Sequence, residues 1–417
     1  MHEPYRIKVV ELLPAVSRAQ RERLLAEAGY NPFQIDARGV TVDLVSDSGT
    51  GAMSSRQWQE VIGAREDFSG QESYTRFVKT ATDTFGFPHV QPVHQGRAAE
   101  SLLFRLLIEP GRIAVSNTFF ETTRANLEAH GCEALDLSDL TSPWCGNIDL
   151  ARLEALAGSG APIGMILITV TNNIMGGQPV SLENIAGARR VADRLGVPLV
   201  LDAGRFAGNA LLRKRLTRSR QSLRRICRET FGLSHAAYLS CKKDGLANVG
   251  GMIGLHDAAL FERLQHEVIR QESYPTAGGL AARDLAAMTV GLEEAVDERV
   301  VTAHVDGVRY LAAGLQRRGV RVFEPVGAHG VVVLPRDEGE FAAFSLAASI
   351  FLVGGVRAGV FDGKMRLALP RRTYTRDHLD HVGEVVASVY DHEPMMLACT
   401  HRPPDFFDFF ARFERRG

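Results

Sequence analysis

Lysine is nearly absent from this chain: only six of the 48 basic residues among its 417 are lysine, and arginine carries the rest. Neither sign of charge prevails, since the formal net charge is −1 at pH 7. That balance gives no electrostatic reason to expect nucleic acid or an anionic membrane as a partner. No apolar stretch approaches the roughly 20 residues needed to cross a bilayer, and the opening MHEPYRIKVVELLP has no apolar core of a secretory signal. Cysteine is also scarce. Cys132, Cys145, Cys227, Cys241 and Cys399 are odd in number and show no CxxC spacing. This argues against a disulfide framework and points to a reduced, cytoplasmic protein without a structural zinc. What remains is 45% hydrophobic and 23% charged, enough for two or three domains, or one large domain with a satellite.

Against that scarcity a lysine doublet stands out. Lys242 and Lys243 lie in AAYLSCKKDGLANVGG (236–251), where an apolar run breaks at Ser240 and a glycine-containing turn follows. Lysine can be desolvated to a lower pKa and then attack carbonyls, which arginine cannot do. One of the two is therefore a candidate Schiff-base lysine. Apolar runs at 113–116, 165–170, 198–202 and 236–240 read as strands, and helical periodicity at 98–107, 182–195 and 223–231 places helices between them. Alternation of this kind predicts an α/β fold with a mainly parallel sheet. Beyond Gly278-Gly279 come a long helical region (280–318), a strand-rich segment (320–334), a helix near 341–352 and a strand pair at 355–360 and 365–369. The expected layout is an arm over 1–45 packed on a small α+β domain at 301–417, with a large domain at 46–300. The basic run 213–225 has no interleaved aromatic and reads as an exposed helix face.

In an open α/β sheet, ligands bind where the strands' C-terminal ends open into loops. The loop after 113–116 carries Phe120 and Glu121, and the loop after 165–170 carries Asn173. Asp202 and Arg205 follow the third strand, and the lysine pair follows Ser240. His94-Gln95-Gly96-Arg97 opens a helix, where backbone N–H groups and the dipole favour an anion. Pyridoxal 5′-phosphate (PLP) needs all of these at once. Its phosphate suits Gln95, Gly96, Arg97 and Ser240, and its aldehyde needs a lysine. Its ring nitrogen needs a buried carboxylate such as Asp202, so that the ring can act as an electron sink. Phe120 would cover the ring face, and Asn173 and Arg205 would donate to the ring oxygen.

The stretches DSGTGAMS (47–54), HQGRAAE (94–100), GGQPVSLENI (176–185), DAGRFA (202–207), CKKDGLANVGG (241–251), PTAGGLAARD (275–284) and RLALPRRTYT (366–375) resemble the tryptophanase and tyrosine phenol-lyase group of β-eliminating lyases. The likeness runs nearly end to end. It implies the aspartate-aminotransferase-like fold (PLP fold type I). It also implies Lys243 as the lysine bonded to the cofactor aldehyde, with Lys242 beside it placing water and charge. Arg366 would grip the substrate α-carboxylate, with Ser46, Ser48, Asn173 and Glu121 nearby. A monovalent cation, usually potassium, would sit at Gly49, Glu66 and Asn248. A homodimer or homotetramer with shared active sites is implied as well.

The chain also departs from that pattern. Where the two named lyases carry an acidic tyrosine for the leaving group, this chain has Phe68. The arginine associated with phenol aligns with 360–362, which holds none, and the histidine associated with indole aligns around Asp408. Tyr274 aligns with a position that is apolar in the relatives. The expected activity is therefore Cα–H abstraction and β-elimination from an amino acid that is neither tyrosine nor tryptophan. β-Substitution, retro-aldol cleavage, transamination, a tryptophanase or tyrosine phenol-lyase with a replaced acid, and a non-catalytic scaffold are the alternatives.

Overall fold

Runs rich in Val, Ile, Leu and Ala that are buried along almost their whole length form strands covered on both faces. In this computed structural model, which describes residues 3–141, 143–336, 339–392 and 394–416, they build the centre of a seven-stranded sheet. The strands are β1 (His89–Val93), β2 (Ile113–Ser116), β3 (Glu133–Asp136), β4 (Ile163–Thr169), β5 (Leu199–Asp202), β6 (Ala236–Ser240) and β7 (Gly251–Leu255). Their order across the sheet is β1-β7-β6-β5-β4-β2-β3. β7 runs antiparallel to both neighbours, and the pairs from β6 to β3 are parallel. The sheet belongs to a unit comprising Ser48–Asn173 and Gly177–Thr302.

On one face of this sheet, helices Gly96–Leu107 and Ala258–Gln271 place Leu103, Phe104, Leu264 and Val268 in a single apolar cluster. Leu167, Val200, Tyr238 and Ile253 from the strands complete it. Elsewhere in the unit Phe85, Phe206 and Phe231 meet edge to face or tilted, with ring centroids 4.9 and 4.6 Å apart from Phe85. The end of β2 is tied to β4 by Asn117. Its Oδ1 accepts from Thr169 N at 2.9 Å, while its Nδ2 donates to Thr169 O at 3.0 Å and Gly146 O at 2.7 Å. The mouth of the sheet is thus held by a buried amide that no periodicity reveals.

The second unit comprises Met1–Asp47, Ile174–Gly176 and Ala303–Gly417. Its four-stranded sheet runs Val42–Leu44, Val356–Phe361, Lys364–Ala368, Gly330–Val333. Helix Ala342–Gly354 is buried over most of its length against this sheet and ends at Gly355, in the left-handed conformation. Helix Arg18–Glu27, opened by a Ser17–Gln20 capping box, packs on Ala342–Gly354. Asp47 and Arg371, both buried, pair at 2.7 Å.

Three differences from the sequence reading have physical causes. The helical stretch 280–318 is two helices, Ala282–Ala295 and Glu298–Arg317, separated by Val296-Asp297. The basic run 213–225 is not one exposed face. Helix Phe206–Leu216 ends within it, and Arg213 is buried, bonding Thr230 Oγ1 at 3.1 Å and Glu229 at 2.9 Å. β1 and β7 escaped notice because Gln91 and Pro92 interrupt one and glycines the other. In β7 the glycines answer to contact: a Cβ on Gly254 would lie 2.3 Å from the Phe87 ring.

Asn117→Ala would leave buried backbone groups of Gly146 and Thr169 without a partner, at a cost of about 2 kcal/mol. A urea-unfolding midpoint lowered at constant slope is the expected result, and an unchanged midpoint would show the tie to be dispensable.

Candidate active site

Helix Gly96–Leu107 begins just beyond the end of β1, without a side-chain cap from Gln95. Its first N–H groups are left for another acceptor, and the dipole favours an anion. Gly96 is required by close approach, because a Cβ there would lie 2.7 Å from Ser240 Cβ and 3.1 Å from Ser240 N. The Ser240 hydroxyl, at the end of β6, is thereby held beside the uncapped turn. Behind it, Gly250 N donates to His94 O at 3.0 Å. Glu272 accepts from His94 N at 3.1 Å and pairs with the His94 ring. Glu272 is a brace that the sequence reading missed; the glycine pair six residues downstream was the only nearby signal. Arg97, at the second position of the helix, has an exposed side chain.

The lysine turn follows β6. Asp244 N donates to Gly204 O at 3.2 Å, and the buried Asp244 carboxylate accepts from Ala207 N at 2.7 Å and Gly208 N at 3.0 Å. Asp244 therefore pins the turn carrying Lys242 and Lys243 to the turn after β5, and sets the start of helix Phe206–Leu216. Sequence reasoning also missed this residue, although an acid directly after a lysine pair is a visible cue. The side chain of Lys243 runs past Gly204: a Cβ on that glycine would lie 3.2 Å from Lys243 Cδ and 3.8 Å from Nζ. Arg205 is buried at the head of the same helix. Lys242 points elsewhere, with its Cε 2.9 Å from where a Gly49 Cβ would stand. Gly49, at φ +79°, donates its N–H to Lys242 O at 2.7 Å.

Asp202 ends β5, in register with Thr169 and Tyr238. Burial raises the pKa of its carboxyl. The Lys243 charge, the Gly204 N–H, the Arg205 charge and the Tyr238 hydroxyl pull the other way. Behind it lies Glu100, which accepts from Thr123 Oγ1 at 2.6 Å, Tyr238 Oη at 3.1 Å and Asn126 Nδ2 at 3.0 Å. Burial, with the Asp202 charge adding, pushes the Glu100 carboxyl up to about 7, against those three hydrogen bonds.

Phe120 is half-buried at the N-cap of helix Glu121–Ala129, and Glu121 opens that helix. Asn173 is half-buried just beyond Asn172, whose Nδ2 donates to Thr118 Oγ1 at 2.9 Å. Ser48 lies in the same unit as these, one residue before Gly49. Of the proposed cation ligands, Gly49 and Asn248 meet, with Asn248 Nδ2 donating to Gly49 O at 2.9 Å. Glu66 is instead engaged at the start of helix Ala282–Ala295, accepting from Ala282 N at 2.6 Å and Arg283 N at 3.3 Å. Phe68 is 78% exposed and Tyr274 44%, and their rings are 5.6 Å apart.

In the other unit Ser46 is half-buried, and Arg366 is buried with its guanidinium 4.2 Å from the Phe361 ring centroid. Burial pushes Asp408 up to about 6, with the Asp362 charge adding and the Asp362 N–H opposing.

The first unit thus holds an uncapped helix start shaped by a glycine that tolerates no Cβ. At neighbouring strand ends it places a half-buried carboxylate beside a lysine. These residues fit pyridoxal phosphate: the cradle suits a phosphate, and Asp202 is a carboxylate of the kind that pairs with a cationic ring N–H. The fold and site define a PLP enzyme of fold type I.

Comparison with known proteins agrees. The family Beta-eliminating lyase matches residues 43–384. Tryptophanase from Salinibacter ruber is 41% identical, over 100% of this chain and 96% of that protein. Tyrosine phenol-lyase from Intrasporangium calvum is 39% identical, over 99% and 95%. Among solved structures, Leishmania major threonine aldolase (TM-score 0.65, 15% identity, 84% of this chain and 99% of that one) shares the fold. Serine palmitoyltransferase from Sphingomonas wittichii does so too (0.64, 13%, 89% and 95%). The chain belongs to the beta-eliminating lyase family and is a PLP-dependent lyase. Among the described residues no helix is long and apolar enough to cross a membrane.

Two measurements test this geometry. Gly96→Ala would push Ser240 away from the cradle and weaken PLP binding to the apoprotein at least about tenfold, or about 1.4 kcal/mol. An unchanged Kd in a cofactor titration would contradict it. The second concerns Glu100, whose carboxyl rises from 4.5 to about 7 on folding. The folded chain then binds that proton more tightly than the unfolded chain does, so this group's contribution to stability falls as pH rises from 4.5 to about 7. Unfolding of the apoprotein at about pH 5 and about pH 8 should show a smaller difference in Glu100→Gln than in the native protein.

Proposed function

We propose that this lyase carries out β-elimination on an amino acid whose leaving group departs without a proton from position 68, such as an S-substituted cysteine. The observation that carries the reading is Phe68, which has no ionisable hydroxyl and is exposed on the same unit as the cofactor site. Phenol and indole leave through carbon and need ring protonation, a step to which a positioned acid contributes about 10²–10⁴-fold. A thiolate or halide does not. A second reading rests on Tyr274, whose ring lies against Phe68. Its hydroxyl could replace the missing acid, which would leave a tyrosine- or tryptophan-cleaving enzyme with altered chemistry.

PLP, when bound, supplies an electron sink conjugated with the substrate Cα. The protein does the rest. Gln95, Gly96, Arg97 and Ser240 would hold the phosphate, Phe120 would cover the ring, and Asn173 and Arg205 would donate to the ring oxygen. Asp202 would keep the ring nitrogen protonated. Lys243 would bind the aldehyde in the resting enzyme and, once displaced by the substrate amine, would be the base for the Cα proton, while Lys242 would set the water and charge beside it. Arg366 is a guanidinium of the kind that grips an α-carboxylate bidentately, with Ser46, Ser48 and Glu121 as further substrate-side groups. The carbonyls of Gly49 and Asn248 are proposed to take a potassium ion, with a carboxylate such as Glu66 as its anionic ligand. The location proposed is the cytoplasm.

A homodimer or homotetramer with shared sites is also proposed. Ile62 is 83% exposed and Phe68 78% on one unit, and Leu12 is 92% exposed on the other. Closed symmetric assemblies of identical chains are the commonest oligomers of soluble proteins, and these side chains are ones a second copy would cover.

Two predictions follow from the reading. The kcat/KM for an S-alkylcysteine should exceed that for tyrosine and tryptophan by about 10²-fold or more, and Phe68→Tyr should narrow the gap. Efficient cleavage of tyrosine or tryptophan by the native protein would favour Tyr274 as a substitute acid and sink the first reading. Asp202→Ala should lose activity by several powers of ten while retaining bound cofactor. Normal turnover would mean that Asp202 serves the fold alone.

A further inference from the structure

Glu100 has no part in the site as proposed, yet it is buried and accepts from three separate side chains. Thr123 and Asn126 come from helix Glu121–Ala129, and Tyr238 comes from β6. Tyr238 is paired in register with Asp202, and its hydroxyl, which donates to Glu100, also lowers the proton affinity of the Asp202 carboxyl. Two carboxyls therefore flank one phenolic hydroxyl. That hydroxyl has a single proton to donate, so it serves Glu100 or Asp202 and cannot serve both. The groups that act on Asp202 from the opposite side are Lys243, Arg205 and the Gly204 N–H.

We propose that Glu100 is a positioning residue which, through the Tyr238 hydroxyl, sets the hydrogen bonding and negative potential of Asp202 and so the proton affinity of the PLP ring nitrogen. When Glu100 is ionised it draws the Tyr238 proton. Asp202 then loses a donor and feels a second negative charge, and both changes favour a protonated ring nitrogen. When Glu100 carries its own proton, the hydroxyl turns to Asp202, which becomes less basic and holds the ring proton less tightly. The direction is that of any carboxylate that gains or loses a hydrogen bond to its charged form. No bond is made or broken in this relay beyond the turning of a hydroxyl and the titration of Glu100 against solvent. Glu100 would make the electron sink stronger above neutrality and weaker below it.

This inference rests on Asp202 facing the ring nitrogen, and the test separates the two claims. The apoprotein is reconstituted with PLP labelled with ¹⁵N in the ring, and the nitrogen resonance is followed against pH. In Glu100→Gln, whose side-chain oxygen still accepts from Thr123 and Tyr238, the nitrogen should lose its proton at lower pH, with proton affinity reduced about tenfold, one unit. Tyr238→Phe should shift it in the opposite sense below neutrality, because Asp202 can then no longer accept from the hydroxyl when Glu100 is protonated. Glu100→Asp should restore part of the native profile. If Asp202→Asn moves the resonance and neither Glu100→Gln nor Tyr238→Phe does, the relay is overturned and the Asp202 reading stands. If Asp202→Asn leaves it in place, the underlying reading fails as well. If Glu100→Gln does not fold, Tyr238→Phe decides alone: a native titration overturns the relay.

Discussion

Asp202 and Lys243 oppose one another across the ends of two adjacent strands, and the site depends on how that opposition is held. Burial alone would neutralise the carboxylate, while the lysine charge beside it, with Arg205 and the Gly204 N–H, draws it back toward ionisation. Neither group could be kept there by surface solvation. The turn of each is instead fixed to the other by Asp244, which bonds the Gly204 carbonyl and the first N–H groups of helix Phe206–Leu216. The parallel sheet supplies the rigid base, because β4, β5 and β6 end side by side in register. A cofactor that brings its own cationic N–H and an aldehyde completes the arrangement on both sides.

The anion cradle obeys a similar constraint of space. Ser240 reaches the uncapped helix start only because residue 96 has no Cβ. Glu272, at the C-terminal end of helix Ala258–Gln271, keeps His94 and hence the start of the cradle in place. The residues proposed to hold the cofactor come from strand ends and one helix start, all within one unit. Position 68 lies in that unit too, but exposed.

Much of this was legible in the sequence because burial on both faces leaves a strong trace. The runs 113–116 and 236–240 are strands over those same residues, and 182–195 and 223–231 are helices to the residue. The order of polar residues after the strands was legible for the same reason, since a loop at a sheet mouth must carry its own chemistry. What escaped notice follows from contacts distant in sequence. β1 and β7 are disguised by Gln91, Pro92 and two glycines whose role is close packing. Arg213 looked like one more surface arginine until Glu229 and Thr230 closed over it. Asn117, Asp244, Glu272 and Glu100 follow no periodic pattern. Each becomes recognisable only when its backbone or hydroxyl partners are brought to it by the fold.

The central claim is that the second lysine of the pair, the one beside Asp202, bears the cofactor. Borohydride reduction of the PLP-loaded protein, followed by proteolysis and mass mapping of the pyridoxyl label, tests it directly. The label is expected on Lys243. A label on Lys242, or on neither, would contradict the account.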